Sequence, residues 1–123
     1  MLRGGRLLLF HLQKTVNEWN SRSHLLPFLR KASVVICIQS EDETFFVHIN
    51  KGNVELLIEE NHHHIDAYLQ GQKEHIISLL SGEIKLRQAT VSNVITLQAT
   101  FRTALYLETL FYLVKPYKYV NNI

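Results

Sequence analysis

The stretch from Asp66 to Gly82 reads Asp-Ala-Tyr-Leu-Gln-Gly-Gln-Lys-Glu-His-Ile-Ile-Ser-Leu-Leu-Ser-Gly, and its hydrophobic period changes in the middle. Ala67, Leu69 and Gly71 alternate with their neighbours, which is the period of a strand with one covered face. The apolar residues then recur at the spacing of a helix: Ile76, Ile77, Leu79 and Leu80. Gly82 follows where a helix usually stops. The stretch therefore predicts a strand that ends at Gly71 and a short helix that runs to about residue 81.

The first thirty residues predict two helical segments. Apolar side chains at helical spacing define an amphipathic helix over about residues 6–20: Leu8, Leu9, Leu12, Val16 and Trp19. Polar residues break this pattern, and Ser23 is the expected N-cap of the second segment. The second segment is short and unusually apolar, with Leu25, Leu26, Phe28 and Leu29. Pro27 is expected within its first turn or two.

Three stretches with short links between them predict the first half of a sheet. Residues 33–40 are rich in β-branched side chains, and residues 44–50 and 54–59 alternate between two faces. Lys51-Gly52 makes a tight turn between the last two, because glycine adopts the positive φ that such turns need. Links this short imply an antiparallel meander.

The rest of the chain predicts a fifth strand over residues 94–100 and a very apolar last helix over residues 101–114. Pro116 ends that helix, residues 115–123 are expected to form a tail, and residues 83–93 predict no clear element. The chain, residues 1–123, is therefore predicted to be a single α+β domain with its core over about residues 5–114. Its five-stranded, mostly antiparallel sheet carries helices on one face.

Charge and cysteine content narrow the class of protein. The chain has 13 basic and 11 acidic residues, a net charge of +2, and the two signs are interleaved, which predicts no nucleic-acid partner. Cys37 is the one cysteine, lies between two isoleucines, and is expected to be a buried thiol in a reducing compartment. No apolar run has the length of a membrane span or the form of a signal peptide, so we expect a cytoplasmic protein without a transmembrane segment.

Two patterns relate to catalysis, and neither predicts a catalytic site. His62-His63-His64 is the densest group of potential metal ligands, with His48 as a candidate third ligand. Adjacent residues on an extended chain point to opposite faces, so at most two of the three histidines can share one ion, and a solvated loop is the simpler interpretation. The Gly-x-Ser-x-Gly turn of many hydrolases does not occur. We therefore expect no metal, no cofactor and no enzymatic activity, and a metal-dependent enzyme is the third hypothesis.

The sequence feature that indicates a function is its distribution of large apolar side chains. Large side chains gather on the two most hydrophobic helical segments: Phe28, Phe101, Leu105, Tyr106, Phe111 and Tyr112. A helix that is apolar all round is either covered on nearly every side or lines a cavity. Periodicity by itself favours a packed core and leaves a ligand cavity open as the alternative.

The order Asp-Ala-x-Leu-x-Gly, followed by a short helix that ends in Leu-Leu-Ser-Gly-Glu, resembles the central motif of the sterol carrier protein 2 domain family. The matching positions in this chain are Asp66, Ala67, Gly71, Leu79, Leu80, Ser81 and Gly82, with Gly52 and Val54 at the turn into the third strand. The order of elements is also similar, over about residues 5–114. The family commonly has glycines on both sides of the fifth strand, where this chain has Ser92-Asn93 and Ala99-Thr100.

The resemblance implies a hydrophobic tunnel between the sheet and its helices that holds a fatty acyl chain, a sterol or a similar lipid, with no chemistry of its own. Eight apolar side chains are the expected wall of that tunnel: Leu25, Phe28, Ile36, Ile38, Leu97, Phe101, Leu105 and Phe111. The second hypothesis is an assembly module, since family members also occur as appendages of enzymes such as alkyl sulfatases. The aromatic helix would then be buried against another subunit, in a homodimer or in a lipid-related enzyme.

Overall fold

The computed structural model describes residues 3–58 and 64–113, with side chains from Leu7 onward. In chain order the elements are α1 (Arg3–Ser21), a 3-10 helix (Ser23–Leu25), α2 (Leu26–Arg30), β1 (Ser33–Gln39), β2 (Thr44–Asn50), β3 (Asn53–Leu57), β4 (Ala67–Gly71), α3 (Lys73–Leu80), α4 (Leu86–Val91), β5 (Ile95–Ala99) and α5 (Phe101–Leu113). The strands form one sheet in the order β3-β2-β1-β4-β5. All neighbours are antiparallel except β1 and β4, which run parallel. The predicted α+β class and the mostly antiparallel sheet are confirmed.

The stretch from Asp66 to Gly82 forms the predicted strand and helix. Ala67 and Leu69 are buried on the core face of β4, and Tyr68 between them is exposed on the other face. Gly71 ends β4, and a Cβ atom there would lie 3.1 Å from the Val94 carbonyl oxygen. Gly82 follows α3 with φ of 85°, a conformation that glycine adopts at the end of a helix without steric cost.

Asp66 secures the one parallel strand pair. Its backbone N–H donates to the Val35 carbonyl at 2.8 Å, and its carboxylate accepts the Val35 N–H at 2.9 Å. A tight hairpin cannot connect two parallel strands, so the register of β4 against β1 depends on contacts at the beginning of β4. These two hydrogen bonds explain why an aspartate directly precedes β4.

The core lies between one face of the sheet and the helices. It is formed by apolar side chains with little or no solvent exposure, among them Leu8, Leu12, Val16 and Trp19 from α1, Ile36, Ile38, Val47, Ile49, Leu69 and Ile95 from the sheet, and Ile76, Leu79, Leu107 and Leu110 from α3 and α5. At the edge strand β3, the Asn20 side chain donates to the Val54 carbonyl at 2.8 Å and accepts the Val54 N–H at 2.9 Å. The amide of Asn20 thus satisfies backbone groups that an edge strand leaves unpaired.

Two predictions need correction or completion. Ser23 is not an N-cap: it lies inside the 3-10 helix, and Arg22 precedes that helix in an extended conformation without a side-chain cap. The unassigned residues 83–93 contain α4, whose buried positions Leu86 and Ala89 are too few to produce a recognisable period. Asn93 precedes β5 with φ of 64°, so asparagine adopts the left-handed conformation next to the strand that the family commonly flanks with glycine.

Of the predictions about element boundaries at prolines and at the tail, only the one for Pro27 falls within the described residues. Pro27 is at the start of α2, as predicted. Pro116 and the tail over residues 115–123 lie outside the described residues.

Among the helices of residues 3–58 and 64–113, none has the length and apolarity that a membrane crossing requires.

Candidate functional site

A cavity of about 620 Å³ lies between α2, the beginning of β1 and the first turns of α5. We call it the α2–α5 cavity. Five aromatic or charged residues line it together with small or apolar residues: Phe28, Lys31, Asp66, Arg102 and Tyr106. Its volume falls within the roughly 300–1,000 Å³ typical of sites for small molecules.

The position of α2 depends on the turn between β2 and β3. The Gly52 N–H donates to the Leu29 carbonyl at 3.1 Å, and the Lys51 N–H donates to the Ala32 carbonyl at 2.9 Å. Lys51 and Gly52 both have positive φ, as the predicted tight turn requires. A Cβ atom on Gly52 would lie 3.1 Å from the Leu26 side chain, so glycine also allows α2 to approach the turn closely.

Two aromatic rings form a wall of the α2–α5 cavity. The rings of Phe28 and Tyr106 are stacked, with centroids 4.4 Å apart and planes at 7° to each other. Both side chains are only partly buried. Aromatic pairs of this kind offer a large, rigid apolar surface to a ligand.

The charged groups at this cavity are mainly basic. Lys31 and Arg102 are exposed, and neither forms an ion pair with another of the described residues. The carboxylate of Asp66 is already engaged, because one oxygen accepts the Val35 N–H and the other lies 2.9 Å from Nε2 of His64. Within the described ranges, the cavity therefore presents two cations without an ion-pair partner and one carboxylate with both oxygens in contact with protein groups.

Tyr106 also carries a buried hydroxyl group. Its oxygen is buried and has no hydrogen-bond partner within the part of the chain that the structure describes. Burial raises the pKa of Tyr106 to about 12, so the hydroxyl is protonated at neutral pH and can donate a hydrogen bond. A buried polar group without a partner costs free energy.

The eight residues predicted to form a tunnel wall are distributed over several places. Phe28 lines the α2–α5 cavity. Leu97, Phe101 and Leu105 come together in a groove of about 270 Å³ between α4, β5 and α5, and Phe111 lines a cavity of about 290 Å³ next to α3 and α4. The other three are packed in the core with exposures of 0%, 2% and 3%: Leu25, Ile36 and Ile38. A single tunnel that joins these spaces stays a prediction.

Sequence reasoning did not assign Lys31 or Arg102 to the site, and it named Tyr106 only among the large side chains that could line a cavity, not among the eight wall residues. Arg102 and Tyr106 are four residues apart on a helix, a spacing that puts both on one face and could have indicated a polar position beside an aromatic wall. Lys31 carries no such signal, because nothing in the sequence indicates that the end of α2 meets the beginning of α5.

The histidine hypothesis falls partly outside the described residues, since His62 and His63 are not among them. The His64 side chain is 80% exposed, and its ring contacts Asp66. Within residues 3–58 and 64–113 no three potential ligands gather where they could hold a metal ion. Among those residues, no hydroxyl or thiol group hydrogen-bonds to His64, so the described part of the chain contains no hydrolytic triad around it.

Comparison with known proteins establishes the fold. No protein-family model matches the sequence, and a search of curated proteins finds no match either. Solved structures are similar. A protein described as the ubiquinone synthesis protein UbiJ-SCP2 has a TM-score of 0.68 and 12% identity, and the match covers 93% of this chain and 95% of that one.

Two further structures extend the comparison. Sterol carrier protein 2 from Yarrowia lipolytica, in its apo form, has a TM-score of 0.58 and 12% identity over 83% of this chain and 88% of its own. The sec-alkylsulfatase Pisa1 from Pseudomonas sp. has a TM-score of 0.62 and 12% identity over 74% of this chain, but the match covers only 14% of that enzyme. The chain thus has the fold of the sterol carrier protein 2 domains, as its central motif predicted.

Proposed function

We propose that this protein is a lipid-binding domain that holds the hydrocarbon part of a fatty acid, a sterol or a similar lipid and catalyses no reaction. The observation that carries the proposal is the α2–α5 cavity, with the stacked rings of Phe28 and Tyr106 on its wall. Removal of apolar surface from water contributes roughly 25 cal/mol per Å², so a hydrocarbon chain needs no specific polar contact to bind there.

The proposal assigns the apolar contacts with the ligand to five of the eight predicted wall residues. Phe28 lines the α2–α5 cavity, and the other four border the two smaller spaces along α5: Leu97, Phe101, Leu105 and Phe111. Leu25, Ile36 and Ile38 are packed in the core, so they would contact a ligand only if the cavity were deeper than it is in this structure.

The structural neighbours support the choice of ligands for a first test. One is named for sterols, and another takes part in ubiquinone synthesis. Sterols and ubiquinone share a large hydrocarbon part, so fatty acids, sterols and isoprenoid lipids form a reasonable panel. A cytoplasmic location is part of the same proposal, and the single buried thiol of Cys37 supports it.

The test is native mass spectrometry of protein purified from cells, combined with displacement of a fluorescent fatty acid. Ala32 lines the α2–α5 cavity, so Ala32→Phe should fill it and weaken binding by about tenfold or more. Thr44→Phe is the matched control, because Thr44 is exposed at the other end of the sheet and should leave binding unchanged. Absence of co-purified lipid, together with absence of displacement by any lipid of the panel, would overturn the proposal.

The competing function is the assembly module. It is favoured by three large apolar side chains exposed along α5, namely Phe101 at 77%, Leu105 at 40% and Tyr112 at 61%. In a homodimer or a complex with an enzyme, these side chains would be buried at the interface. Sedimentation at micromolar concentration separates the two functions, because a pure monomer contradicts the homodimer. Phe101→Ser should dissociate a dimer if one forms.

A further inference from the structure

The two edge strands of the sheet are protected to different degrees. At the β3 edge, the side chain of Asn20 bonds to both backbone groups of Val54, and Glu55 places a charge in the same strand. At the other edge, β5 reads Ile95-Thr96-Leu97-Gln98-Ala99 and contains neither a charged residue nor a proline. Charges, prolines and covering groups are the usual means by which monomeric proteins keep an edge strand from pairing with another chain. The sequence of β5 provides no such protection.

The direction of the hydrogen bonds identifies which backbone groups of β5 are open. The N–H of Asp66, directly before β4, donates to a carbonyl of β1. Direction alternates from residue to residue, so β4 turns the backbone groups of Leu69 toward β5, where its partner is Leu97. Thr96 and Gln98, on either side of Leu97, therefore direct their N–H and C=O groups to the open edge. No group of the described residues forms a hydrogen bond with them there.

An apolar surface continues this edge on the helix side of the sheet. Leu97 lines the groove of about 270 Å³ between α4, β5 and α5. The same groove contains Val91, which is 76% exposed, and Phe101, which is 77% exposed. Large apolar side chains that are exposed next to one another mark surfaces that contact another protein. The chain thus leaves open backbone groups and exposed apolar side chains at one place.

The charges at this surface favour a second copy of the chain as the partner. Arg87 and Glu108 are the charged side chains of the groove, and they pair with each other at 2.9 Å. A two-fold interface brings a surface against its own copy, so a net charge on that surface would face the same charge and be repelled. The surface formed by β5 and the groove carries no net charge and is therefore compatible with itself. A strongly charged partner would find no complementary charge on it.

We propose that β5 pairs with β5 of a second copy of this chain, in antiparallel direction, about a two-fold axis at Leu97. Thr96 then exchanges both backbone hydrogen bonds with Gln98 of the second copy, and symmetry forms the reciprocal pair. The sheet continues from one copy into the other. Beside the paired strands, Val91 and Phe101 pack against the groove of the second copy. The inference does not depend on lipid binding, and it gives a homodimer a defined surface and register.

Sedimentation equilibrium across the micromolar range tests the dimer, and Thr96→Pro tests the strand pairing. Proline removes the N–H of Thr96 that faces the open edge, and edge strands tolerate proline at such positions. We expect the unchanged chain to dimerise and the dissociation constant to rise by about tenfold or more in Thr96→Pro. Thr96→Val is the matched control, because it keeps the N–H and should dimerise as the unchanged chain does. The urea midpoint reports whether each variant is folded.

A second test needs no proline. Across the two-fold axis Leu97 faces its own copy as a non-hydrogen-bonded pair, with Cα atoms about 4.5 Å apart, a distance that a disulfide can span. Leu97→Cys should therefore give a covalent dimer on mild oxidation, and the natural Cys37 is buried and does not compete. Gln98→Cys is the control, since Gln98 lies opposite Thr96 of the second copy and should cross-link far less. This test decides the proposal if Thr96→Pro fails to fold.

Three results would overturn the pairing: a pure monomer throughout the micromolar range, a dimer that folded Thr96→Pro leaves intact, or cross-linking of Gln98→Cys as readily as Leu97→Cys. A dimer that is lost in Phe101→Ser and unaffected by Thr96→Pro forms through α5 alone, which also contradicts the proposal. Displacement of a fluorescent fatty acid should be the same in Thr96→Pro and the unchanged chain, because Thr96 does not line the α2–α5 cavity. Lipid binding and strand pairing are therefore tested separately.

Discussion

The two longest helices, α1 and α5, cover different parts of the same sheet and use their apolar side chains differently. In α1 one stripe is buried, with exposures of 4% or less at Leu8, Leu12, Val16 and Trp19, and the exposed face carries polar side chains such as Lys14 together with Leu7 and Phe10. In α5, Leu107 and Leu110 are fully buried, yet large apolar side chains also occupy its exposed face. The only charged side chains of α5 are those of Arg102 and Glu108.

The α5 helix carries more apolar surface than the core uses. A helix that only covers a sheet needs one apolar stripe. Beyond its stripe, α1 exposes two large apolar side chains, Leu7 and Phe10, whereas the shorter α5 exposes four: Phe101, Leu105, Tyr112 and Leu113. Of these additional side chains, Phe101 and Leu105 line the groove between α4, β5 and α5, and Tyr112 lines the cavity next to α3 and α4. This excess is the feature that the proposed functions explain. If it serves binding, substitutions of the exposed side chains of α5 should leave the free energy of unfolding nearly unchanged.

The largest expected effect is on the free energy of unfolding and separates the two faces of α5. Leu110 is fully buried, so Leu110→Ala should lower the free energy of unfolding by about 2–5 kcal/mol. Leu105 is 40% exposed, so Leu105→Ala on the same helix should change it by about 0.5 kcal/mol or less. Urea denaturation measures both. A similar loss in the two variants would show that the exposed face of α5 is part of the core.

The second prediction tests how the end of α1 is attached to the sheet. Asn20→Ala removes both hydrogen bonds to Val54 and leaves two backbone groups of β3 without partners, so the free energy of unfolding should fall by about 1–3 kcal/mol. Asn17→Ala, at an exposed position of the same helix, is the control and should have little effect. If the two variants are equally stable, the contact between Asn20 and Val54 does not stabilise the edge strand.

The third prediction concerns the sign of a smaller effect at the α2–α5 cavity. In protein freed of lipid, Tyr106→Phe removes a buried hydroxyl that has no partner among the described residues and should raise the free energy of unfolding by about 1 kcal/mol. Urea denaturation measures the difference, and a lower free energy of unfolding in the variant would contradict a hydroxyl group that lacks a partner.

The smallest effect is a pH dependence carried by Tyr106. Burial raises the pKa of Tyr106 from 10.0 to about 12, so the folded protein holds this proton more tightly than the unfolded chain does. Its contribution to stability is therefore complete below pH 10.0 and is lost as the pH rises through about 12. The urea midpoint of the unchanged protein should fall relative to that of Tyr106→Phe over this range. Parallel curves for the two proteins would contradict the raised pKa.

Much of the fold is local and could be predicted from the sequence. The change of period within residues 66–82, the alternation of the three meander strands and the apolar last helix all match observed elements. The positive φ angles of Gly52 and Gly82 could also be predicted, because a tight turn and a helix end are determined by a few neighbouring residues. The cap at Ser23 was wrong because a 3-10 turn and an α-helix begin with similar residues.

The sequence by itself determined which residues are apolar and on which face of each element they lie, because the periods of strands and helices depend on backbone geometry alone. Only the tertiary structure decided which elements meet. It brought Phe28 onto Tyr106 and Lys31 to the same cavity as Arg102, and it separated Phe28 from Phe111 although one wall had been predicted to contain both. The physical reason is that periodicity reports burial, whereas a cavity depends on how closely distant side chains pack and on the space that they leave unfilled.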